Sequence, residues 1–344
     1  MADIHVEPVV EADEAPAPEE RRGGSRSRMI VGILVAVVVL GLPLARPWIS
    51  AYNYVLQVGL LILMWVAMAS SWNIIGGFAG YISLGHNVFF GIGGYFSGLL
   101  LAYLGWSPFA TALGAGVVAM AVGVLVGLIT LRTRGPAFII STIALLLLVH
   151  NAIDNWELAG AASGLSLPLP PLPVEWLKVP FYYGMAFCAF GAVGLAYWLA
   201  HSKFGLGLRA LSQDETKAEV AGINTRMYKV TAYGLSAFFI GVAGALFGYS
   251  LSYLRPTTFF EIGLAAQMVL MSILGGRATV AGPVIGAVII TAVNEYSVVQ
   301  FGATPLNIVV TGLILLATLL FFPLGIVGSL REAGRLPRWL DWDS

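Results

Sequence analysis

Residues 76–95 read GGFAGYISLGHNVFFGIGGY and separate two strongly apolar stretches of the chain. The segment contains seven glycines and one histidine, His86, and each glycine inside a helix costs about 1 kcal/mol relative to alanine. A membrane helix that loses its regular geometry exposes backbone N–H and C=O groups, which must then be satisfied by protein or by a water-filled cavity. Interrupted helices of this kind are typical of transport paths. We therefore expect a broken membrane element at Ser83–Gly94 that lines a solute path.

The composition of the whole chain is that of an integral membrane protein. Of its 344 residues 58% are hydrophobic and 10% are charged, and the mean hydropathy is +0.85, whereas a soluble domain carries about a quarter charged residues. The formal net charge of zero gives no indication of a nucleic-acid partner. The single cysteine, Cys188, excludes an intrachain disulfide, and the four histidines are scattered. The sequence therefore predicts no metal site and no cofactor.

Ten apolar segments have lengths near the ~20 residues that cross a hydrocarbon core. Alternating them with the amino terminus inside places all but three of the 18 basic residues in the cytoplasm, the exceptions being Arg46, Lys178 and Arg255. Because basic residues concentrate on the cytoplasmic side, we expect an all-α polytopic membrane protein with about ten transmembrane or re-entrant helices, some broken at glycines, and both termini cytoplasmic. The segments are 29–45, 52–75, 84–104, 108–131, 136–153, 181–200, 230–252, 263–276, 282–298 and 306–328.

The regions outside these segments define the predicted domain organisation. Residues 1–28 have too little apolar surface to offset the entropy of ordering, which predicts a disordered cytoplasmic tail. Residues 29–330 form the membrane domain, and residues 331–344 form a cytoplasmic carboxyl-terminal tail. The first apolar segment is favoured as a retained helix over a signal-peptide core, because it is longer than the usual apolar core and follows a long acidic stretch.

Two regions remain open on the sequence alone. The segment 263–276 has about fourteen residues before its glycine pair, so it either spans the membrane or re-enters it. The external loop 154–180 contains alternating prolines that favour an extended backbone. This loop is either a surface that faces a partner or a simple connector.

The sequence offers no internal source of energy for transport. It lacks the G-x-x-x-x-G-K-[ST] loop that cradles ATP phosphates, and ion coupling usually needs ionisable groups within the membrane spans. Here Glu295 lies toward the end of the ninth segment, while Asp154 and Glu261 are predicted to lie just outside spans. A passive channel or an externally powered permease is therefore favoured over an ion-driven carrier.

The cytoplasmic loop 201–229 is where an external motor could bind. Ser212 and Glu215 match a capping box, Asp214 and Glu215 suit the positive end of a helix dipole, and Gly222 is a suitable helix stop. These features predict a short helix over 213–221. The alternative is a solvated loop helix without a partner.

This loop resembles the coupling segment of ABC importer permeases, an acidic-alanine helix that ends in glycine and docks on the ATPase subunit. Glu215, Ala218, Glu219 and Gly222 stand at the acidic, alanine and glycine positions of that pattern.

Two membrane motifs extend the resemblance. Residues 80–86, GYISLGH, followed by residues 89–93, FFGIG, resemble the Ser-Leu-Gly-His segment of branched-chain amino acid permeases, with Tyr81 where glutamine is commoner. Residues 275–276 and 281–287 resemble the carboxyl-terminal glycine motif of the same permeases. The chain is thus similar to LivM-type permeases of branched-chain amino acid ABC importers over most of residues 52–290.

The resemblance implies a permease subunit of the cell (inner) membrane that is not itself an enzyme. It implies a second permease of the same family, two cytoplasmic ABC ATPase subunits and an extracytoplasmic solute-binding protein as partners, and branched-chain amino acids or similar small polar solutes as substrates. A self-sufficient channel or secondary carrier for a urea-type or amide-type solute is the alternative. Expected path residues are Ser83, Gly85, His86, Asn87, Phe90 and Gly91, and expected ATPase-coupling residues are Ser212, Asp214, Glu215, Ala218, Glu219 and Gly222.

Two of these path residues have a second interpretation. His86 either contacts solute or packs against neighbouring groups. Ser83 either faces the path or stabilises a bend by bonding to nearby carbonyls.

Overall fold

The computed structural model describes residues 18–48, 51–170, 176–302 and 324–337, with isolated residues between and after these ranges. The helices are α1 Pro18–Gly41, α2 Tyr52–Asn73, α3 Asn87–Leu104, α4 Pro108–Thr130, α5 Pro136–Asp154, α6 Val179–Ala200, α7 Lys203–Gln213, α8 Glu215–Val220, α9 Thr225–Leu251, α10 Pro256–Phe259, α11 Ile262–Gly275, α12 Ala281–Phe301 and α13 Gly325–Glu332. A π-helical turn, Ile74–Phe78, extends α2, and 3₁₀ turns cover Leu42–Trp48, Glu157–Ala159 and Ala161–Ser163. Two short strands, β1 Leu165–Ser166 and β2 Tyr253–Leu254, pair antiparallel.

The described part of the chain confirms the predicted all-α membrane architecture. Eight of its helical segments are long and apolar enough to cross a membrane, and a ninth apolar helix, Ile30–Arg46, is shorter. The tenth predicted segment, 306–328, lies largely outside the described residues. The eight segments are Tyr52–Phe78, Asn87–Leu104, Pro108–Thr130, Pro136–Asp154, Val179–Ala200, Thr225–Leu251, Pro256–Gly275 and Ala281–Gln300.

Helix α9 lies at the centre of the bundle and packs against α2, α3, α4 and α6. Small residues set its closest contacts, as is usual where membrane helices approach tightly. A Cβ atom on Gly244 would lie 1.9 Å from the carbonyl oxygen of Phe90, and one on Gly93 would lie 2.0 Å from that of Gly241. The α3–α9 contact is therefore a contact between backbones.

The loops gather at two ends of the bundle. At one end, which we call the basic end, the residues after α2, the turn before α5, the α7–α8 loop and the turn after α11 come together, and Arg134, Lys217 and Lys229 lie there. At the opposite end β1 pairs with β2, and Lys178 Nζ donates to the carbonyl oxygen of Asn53 at 3.4 Å. This grouping agrees with the alternating path used for the ten predicted segments.

Two predicted boundaries at the amino-terminal side are wrong. Helix α1 begins at Pro18, inside the segment predicted to be disordered. Proline suits the first turn of a helix, and the glutamates and arginines that follow are good helix formers, so the apolar helix continues outward. Helix α3 begins at Asn87 rather than at residue 84, because residues 79–86 are not helical.

The short segment 263–276 is part of a longer one. Helix α10 precedes α11, and together Pro256–Gly275 form a segment of 20 residues that is long enough to span. Glu261, predicted to lie just outside a span, is part of this 20-residue segment and lies at the junction of the two helices. The external loop 154–180 contains the two 3₁₀ turns and strand β1, all of which come before its alternating prolines.

Candidate functional site

The non-helical segment 79–86 runs back into the bundle between α2 and α3. Its backbone groups have protein partners at several points. Trp72 Nε1 donates to the carbonyl oxygen of Ser83 at 2.8 Å, and the Leu84 N–H donates to Thr142 Oγ1 at 3.2 Å. The Tyr81 N–H bonds to the carbonyl oxygen of Ile75 at 3.0 Å. Irregular backbone is tolerated inside a membrane only under such conditions. The broken element predicted at Ser83–Gly94 is therefore confirmed only in part, because the irregular backbone covers residues 79–86 and residues 87–94 belong to the continuous helix α3.

The polar residues of this segment are buried inside the subunit. His86 Nε2 lies 2.9 Å from Ser236 Oγ on α9, and its ring packs edge-on against Phe89 and Tyr233. Asn87 Nδ2 donates to the carbonyl oxygen of Glu261 at 2.7 Å. Ser83, His86 and Asn87 are fully buried. These contacts favour the packing interpretation of His86, while the path-lining role of the segment stays a prediction.

Two glycines expected in the path are required by packing. A Cβ atom on Gly85 would lie 2.3 Å from the carbonyl oxygen of Thr142, and one on Gly91 would lie 2.2 Å from the ring of Phe260. Phe90, between them in sequence, stacks on Phe259 at 5.2 Å between ring centroids. Gly85 therefore lets the non-helical segment approach α5 closely, and Gly91 lets α3 approach the α10–α11 junction.

The loop helix begins differently from the prediction. The Asp214 carboxylate, not Ser212, caps α8 and accepts from the Thr216 and Lys217 N–H groups at 3.0 and 3.1 Å. Ser212 lies in the last turn of α7 and donates to the carbonyl oxygen of Arg209 at 2.8 Å. The predicted capping box is therefore wrong, because aspartate two residues later supplies the N-cap.

The predicted helix stop is confirmed. Gly222 has φ +86° and its N–H bonds to the carbonyl oxygen of Glu219, while the Ile223 N–H bonds to that of Ala218. A left-handed residue at this point closes a helix, and glycine adopts that conformation without strain.

The Glu215 side chain of α8 faces the membrane domain, whereas the Glu219 side chain is 50% exposed. Glu215 Oε1 lies 2.6 Å from Lys229 Nζ, and Glu215 Oε2 accepts from the Tyr81 hydroxyl at 2.5 Å and lies 3.0 Å from Arg134 Nε. The Glu215 side chain is 10% exposed and that of Lys229 is 6% exposed. We call Tyr81, Arg134, Glu215 and Lys229 the ion cluster. It ties the loop helix to the first residues of the broken segment.

The electrostatics of the ion cluster favour an ionised Glu215. Burial raises the pKa of its carboxyl, but the hydrogen bonds from Lys229 and Tyr81 outweigh that effect and leave the pKa below its usual 4.5. Burial and the bond to Glu215 raise the pKa of Tyr81 above its usual 10.0, so the phenol remains a donor. The cluster is therefore a charge-assisted network of the kind that is costly to break.

The rest of α8 divides into two faces. Glu219 Oε1 accepts from Thr225 Oγ1 at 2.7 Å, and Ala218 is buried against the subunit. The opposite face carries Lys217, whose side chain is 87% exposed, and Val220, which is 86% exposed. Lys217 and Val220 are therefore the residues of this helix that are most available to a partner.

The end of α2 and the turn after α11 meet at the basic end. Asn73 Nδ2 donates to the carbonyl oxygen of Thr279 at 2.9 Å, and Asn73 Oδ1 accepts from the Ala278 N–H at 3.0 Å. A Cβ atom on Gly77 would lie 2.6 Å from the Ala278 nitrogen. The end of α2 and the turn after α11 are therefore joined directly, next to the broken segment.

Several residues of the site were not identified from the sequence. Arg134 was explained by topology alone, and Lys229 was counted only among the cytoplasmic cations. Tyr81 and Lys229 are 148 positions apart, with their polar atoms 3.3 Å apart. No local spacing connects them, and of the two only Tyr81 was noted in the sequence, as a tyrosine where glutamine is commoner.

The comparisons with known proteins match this architecture. A model of the family described as branched-chain amino acid transport system / permease component matches residues 54–319. The high-affinity branched-chain amino acid transport system permease protein LivM of Escherichia coli (strain K12) is 26% identical over 303 residues, covering 78% of this chain and 71% of the relative.

Two relatives carry other names. The ribose import permease protein RbsC of Escherichia coli (strain K12) is 31% identical over 206 residues, covering 54% of this chain and 58% of the relative. The autoinducer 2 import system permease protein LsrC of Salmonella paratyphi B is 26% identical over 225 residues, covering 63% of each. No solved structure matches the chain. The family match extends from α2 past α12 and includes the broken segment and the ion cluster, so the chain belongs to the branched-chain amino acid transport permease family and is a multi-pass membrane permease.

Proposed function

We propose that this chain is the membrane-spanning permease subunit of a binding-protein-dependent ABC importer. In this proposal it forms, with a second permease of the same family, the path for branched-chain amino acids or similar small polar solutes across the cell (inner) membrane. Both termini are cytoplasmic, and two separate ABC ATPase subunits hydrolyse the ATP. The observation that carries the proposal is the ion cluster, which connects a short loop helix to the broken membrane segment.

The loop helix is suited to receive force from a cytoplasmic ATPase. Its outer face presents Val220 and Lys217 to solvent, and its inner face is held by Glu215. Because a buried ion pair loses much of its energy when one partner moves away, displacement of α8 should displace Tyr81 with it. Residues 81–86 then carry that movement toward the middle of α9, where His86 meets Ser236.

The solute path is proposed to lie beside the broken segment rather than through the subunit. The polar residues Ser83, His86 and Asn87 are buried, but Tyr81, Ile82 and Leu84 are partly exposed. Tyr81 and Ile82 also line a cavity of about 230 Å³ at the basic end. A second permease facing these residues would complete a path between the two subunits.

The proposed substrate class rests on the family and on its relatives. The family description and the LivM name support branched-chain amino acids. The ribose and autoinducer 2 permeases among the relatives support a broader class of small polar solutes.

The second candidate function is a self-sufficient channel or secondary carrier. No feature of the loop helix favours this second candidate. Without an ATPase partner, the exposed apolar side chain of Val220 would face only water. The two functions differ in whether the purified chain alone moves solute.

The docking surface can be tested with a charge placed on the outer face of α8. Val220→Asp should weaken ATPase co-purification about tenfold, because a carboxylate in an apolar contact must be desolvated. The measurement is the amount of ATPase retained on the affinity-purified permease, together with solute uptake.

A matched control lies at the opposite end of the bundle. Leu169 is 73% exposed, and Leu169→Asp should leave ATPase retention unchanged. Equal ATPase retention by the Val220→Asp variant and the wild-type chain would show that α8 is not the dock.

A further inference from the structure

An apolar groove follows the first half of helix α2, away from the basic end. Its floor is α2, one wall is formed by α1 and α6, and the other wall is formed by α12. The groove has a volume of about 550 Å³, which is within the range of roughly 300–1,000 Å³ for pockets that hold organic ligands. We call it the α2 groove, and its lining includes Tyr54, Val58 and Ile62 on the floor, Val39 and Tyr182 on one wall and Val299 on the other.

The length of the α2 groove matches one leaflet of a bilayer. Tyr54 and Leu63 lie at the two ends of its floor, so the floor is about 14 Å long at 1.5 Å per residue. A hydrocarbon core is about 30 Å thick, and one leaflet therefore contributes about 15 Å. An acyl chain of the leaflet opposite the basic end has the length and the polarity to occupy this groove.

Lys178 lies at the mouth of the α2 groove. It is the N-cap residue of α6, and its Nζ donates to the carbonyl oxygen of Asn53 at 3.4 Å, immediately before Tyr54 on the groove floor. Tyr182, one turn further along α6, lines the groove, and its hydroxyl donates to the carbonyl oxygen of Val39 at 2.9 Å. The Lys178 ammonium is therefore held beside the end of the groove that is farthest from the basic end.

The charge of Lys178 is not compensated within the part of the chain that the structure describes. The side chain is partly buried, and no carboxylate there forms a salt bridge with it. Burial lowers the pKa of this ammonium group below its usual 10.5. Because an ammonium group has three donors and Lys178 uses one of them in a long bond to a carbonyl, the site has room for an anionic acceptor.

A second cation and an aromatic ring lie at the same end of the bundle. The Arg46 guanidinium is 5.3 Å from the ring centroid of Trp176, which is exposed and comes two positions before Lys178. Tryptophan is enriched at the level of lipid headgroups, whereas lysine and arginine are usually concentrated on the cytoplasmic side. Two of the three basic residues that were predicted to lie outside, Arg46 and Lys178, are thus found together at headgroup level.

The remaining charge of the groove keeps an anion at the mouth. Glu295, on the α12 wall, is the one charged side chain among the described residues that line the groove. Its carboxylate repels a phosphate group, whereas Lys178 attracts one. A lipid phosphate is therefore stabilised at the mouth, and the interior is left to an apolar chain.

We propose that the α2 groove binds a glycerophospholipid of the leaflet opposite the basic end, with the headgroup phosphate on Lys178 and one acyl chain along α2. Basic pockets between membrane helices bind lipid headgroups in this way. The inference goes beyond the proposed function and does not depend on it, because it concerns a lipid that stays bound at the membrane-facing surface of the chain.

The test uses the full chain, purified in detergent and freed of lipid, with dioleoylphosphatidylglycerol as the probe. Native mass spectrometry counts the bound lipid, and a rise in the unfolding temperature reports binding to the folded chain. The wild-type chain should bind one phospholipid tightly. Dioleoylglycerol has the same chains without the phosphate and should bind about tenfold more weakly, and inorganic phosphate should not displace the phospholipid.

Substitutions at the mouth test the phosphate contact. Lys178→Gln should weaken phosphatidylglycerol binding about tenfold and leave dioleoylglycerol binding unchanged, because hydrogen bonds to charged groups are the stronger ones. Lys178→Arg keeps the charge and should retain binding. Arg255 is the matched control, since it is an exposed cation at the same end of the bundle and lies outside the groove, and Arg255→Gln should leave binding unchanged.

A substitution on the floor tests the acyl-chain contact. Ile62→Trp fills the middle of the α2 groove and should weaken the binding of phosphatidylglycerol and dioleoylglycerol alike, by about tenfold or more, because the chain loses its apolar contact. Leu113, on α4, is exposed and lies outside the groove. Leu113→Trp should therefore bind both lipids as the wild-type chain does.

Four results would overturn the inference. They are equal phosphatidylglycerol binding by Lys178→Gln and the wild-type chain, undiminished binding by Ile62→Trp, displacement of the lipid by inorganic phosphate, and loss of a co-purifying second permease from Ile62→Trp with lipid binding intact. The last result would make the groove a protein interface. If Lys178→Gln does not fold, the wild-type chain still decides, since equal affinities for phosphatidylglycerol and dioleoylglycerol would exclude a phosphate site.

Discussion

Lys229→Met should destabilise the chain by about 3 kcal/mol and uncouple ATP hydrolysis from uptake, because removing one partner of a buried ion pair leaves the other charge uncompensated. Lys229 Nζ donates to Glu215 Oε1 at 2.6 Å, to the Leu131 carbonyl oxygen at 3.2 Å and to the Tyr81 hydroxyl at 3.3 Å. Methionine fills a similar volume and satisfies none of these acceptors. We expect a loss of unfolding free energy at the lower end of the range for broken buried ion pairs, because Arg134 still neutralises Glu215 in the variant.

The measurements are the unfolding free energy of the purified permease and the ratio of solute imported to ATP hydrolysed. Arg226 provides the control, since it lies in the first turn of the same helix and is exposed. Arg226→Met should change stability by less than about 0.5 kcal/mol. A Lys229→Met variant with wild-type stability and a normal transport ratio would show that the ion cluster neither holds the loop helix nor transmits its movement.

Gly244→Ala should destabilise the membrane domain by about 3 kcal/mol, because overpacking a tight core forces backbone shifts. The added Cβ would lie 1.9 Å from the carbonyl oxygen of Phe90, a backbone atom that no rotamer change can move. Helices α3 and α9 would have to separate, and the broken segment that precedes α3 would move with them. The measurement is the yield and thermal unfolding of the purified chain.

Gly194 is the matched control for this substitution. It lies in α6, also a predicted span, and a Cβ atom there would meet nothing within 4 Å. Gly194→Ala should therefore leave stability unchanged or raise it slightly, since alanine is the better helix former. Equal stability of the Gly244→Ala and Gly194→Ala variants would contradict the close α3–α9 packing.

The sequence predicted the fold because membrane helices depend on local properties. Apolar length defines each span. The glycines of residues 76–95 indicated a broken segment, but the break covers residues 79–86 and not the predicted Ser83–Gly94, because residues 87–94 form a regular helix. The end of the loop helix at Gly222 was also predictable from local sequence, because it depends on one residue in the left-handed conformation.

The wrong prediction of the capping box has a physical cause that residue spacing alone does not reveal. Ser212 and Glu215 fit the spacing of a capping box, but Ser202 already caps a preceding helix, α7, by accepting from the Gly205 N–H at 3.0 Å. Ser212 is thereby held in the last turn of α7, and Asp214 takes the N-cap position of α8. Glu215 then becomes free to enter the ion cluster.

The inclusion of Glu261 in the segment Pro256–Gly275 was missed for a related reason. Counting only apolar residues starts the span at Gly263, whereas the chain is already helical from Pro256 to Phe259 and resumes at Ile262. The partners Asn87 and Glu261 are 174 positions apart. Contacts over such separations depend on tertiary packing and leave no local signal.

The most direct test of the central claim is solute uptake into proteoliposomes that contain this chain with and without its ATPase subunits. With the second permease, the ATPases and the binding protein present, radiolabelled leucine should accumulate only when ATP is supplied to the side of the ATPases. With this chain alone, leucine, urea and short amides should not cross faster than in protein-free liposomes. Flux through the chain alone would contradict the account and would support a self-sufficient channel or carrier.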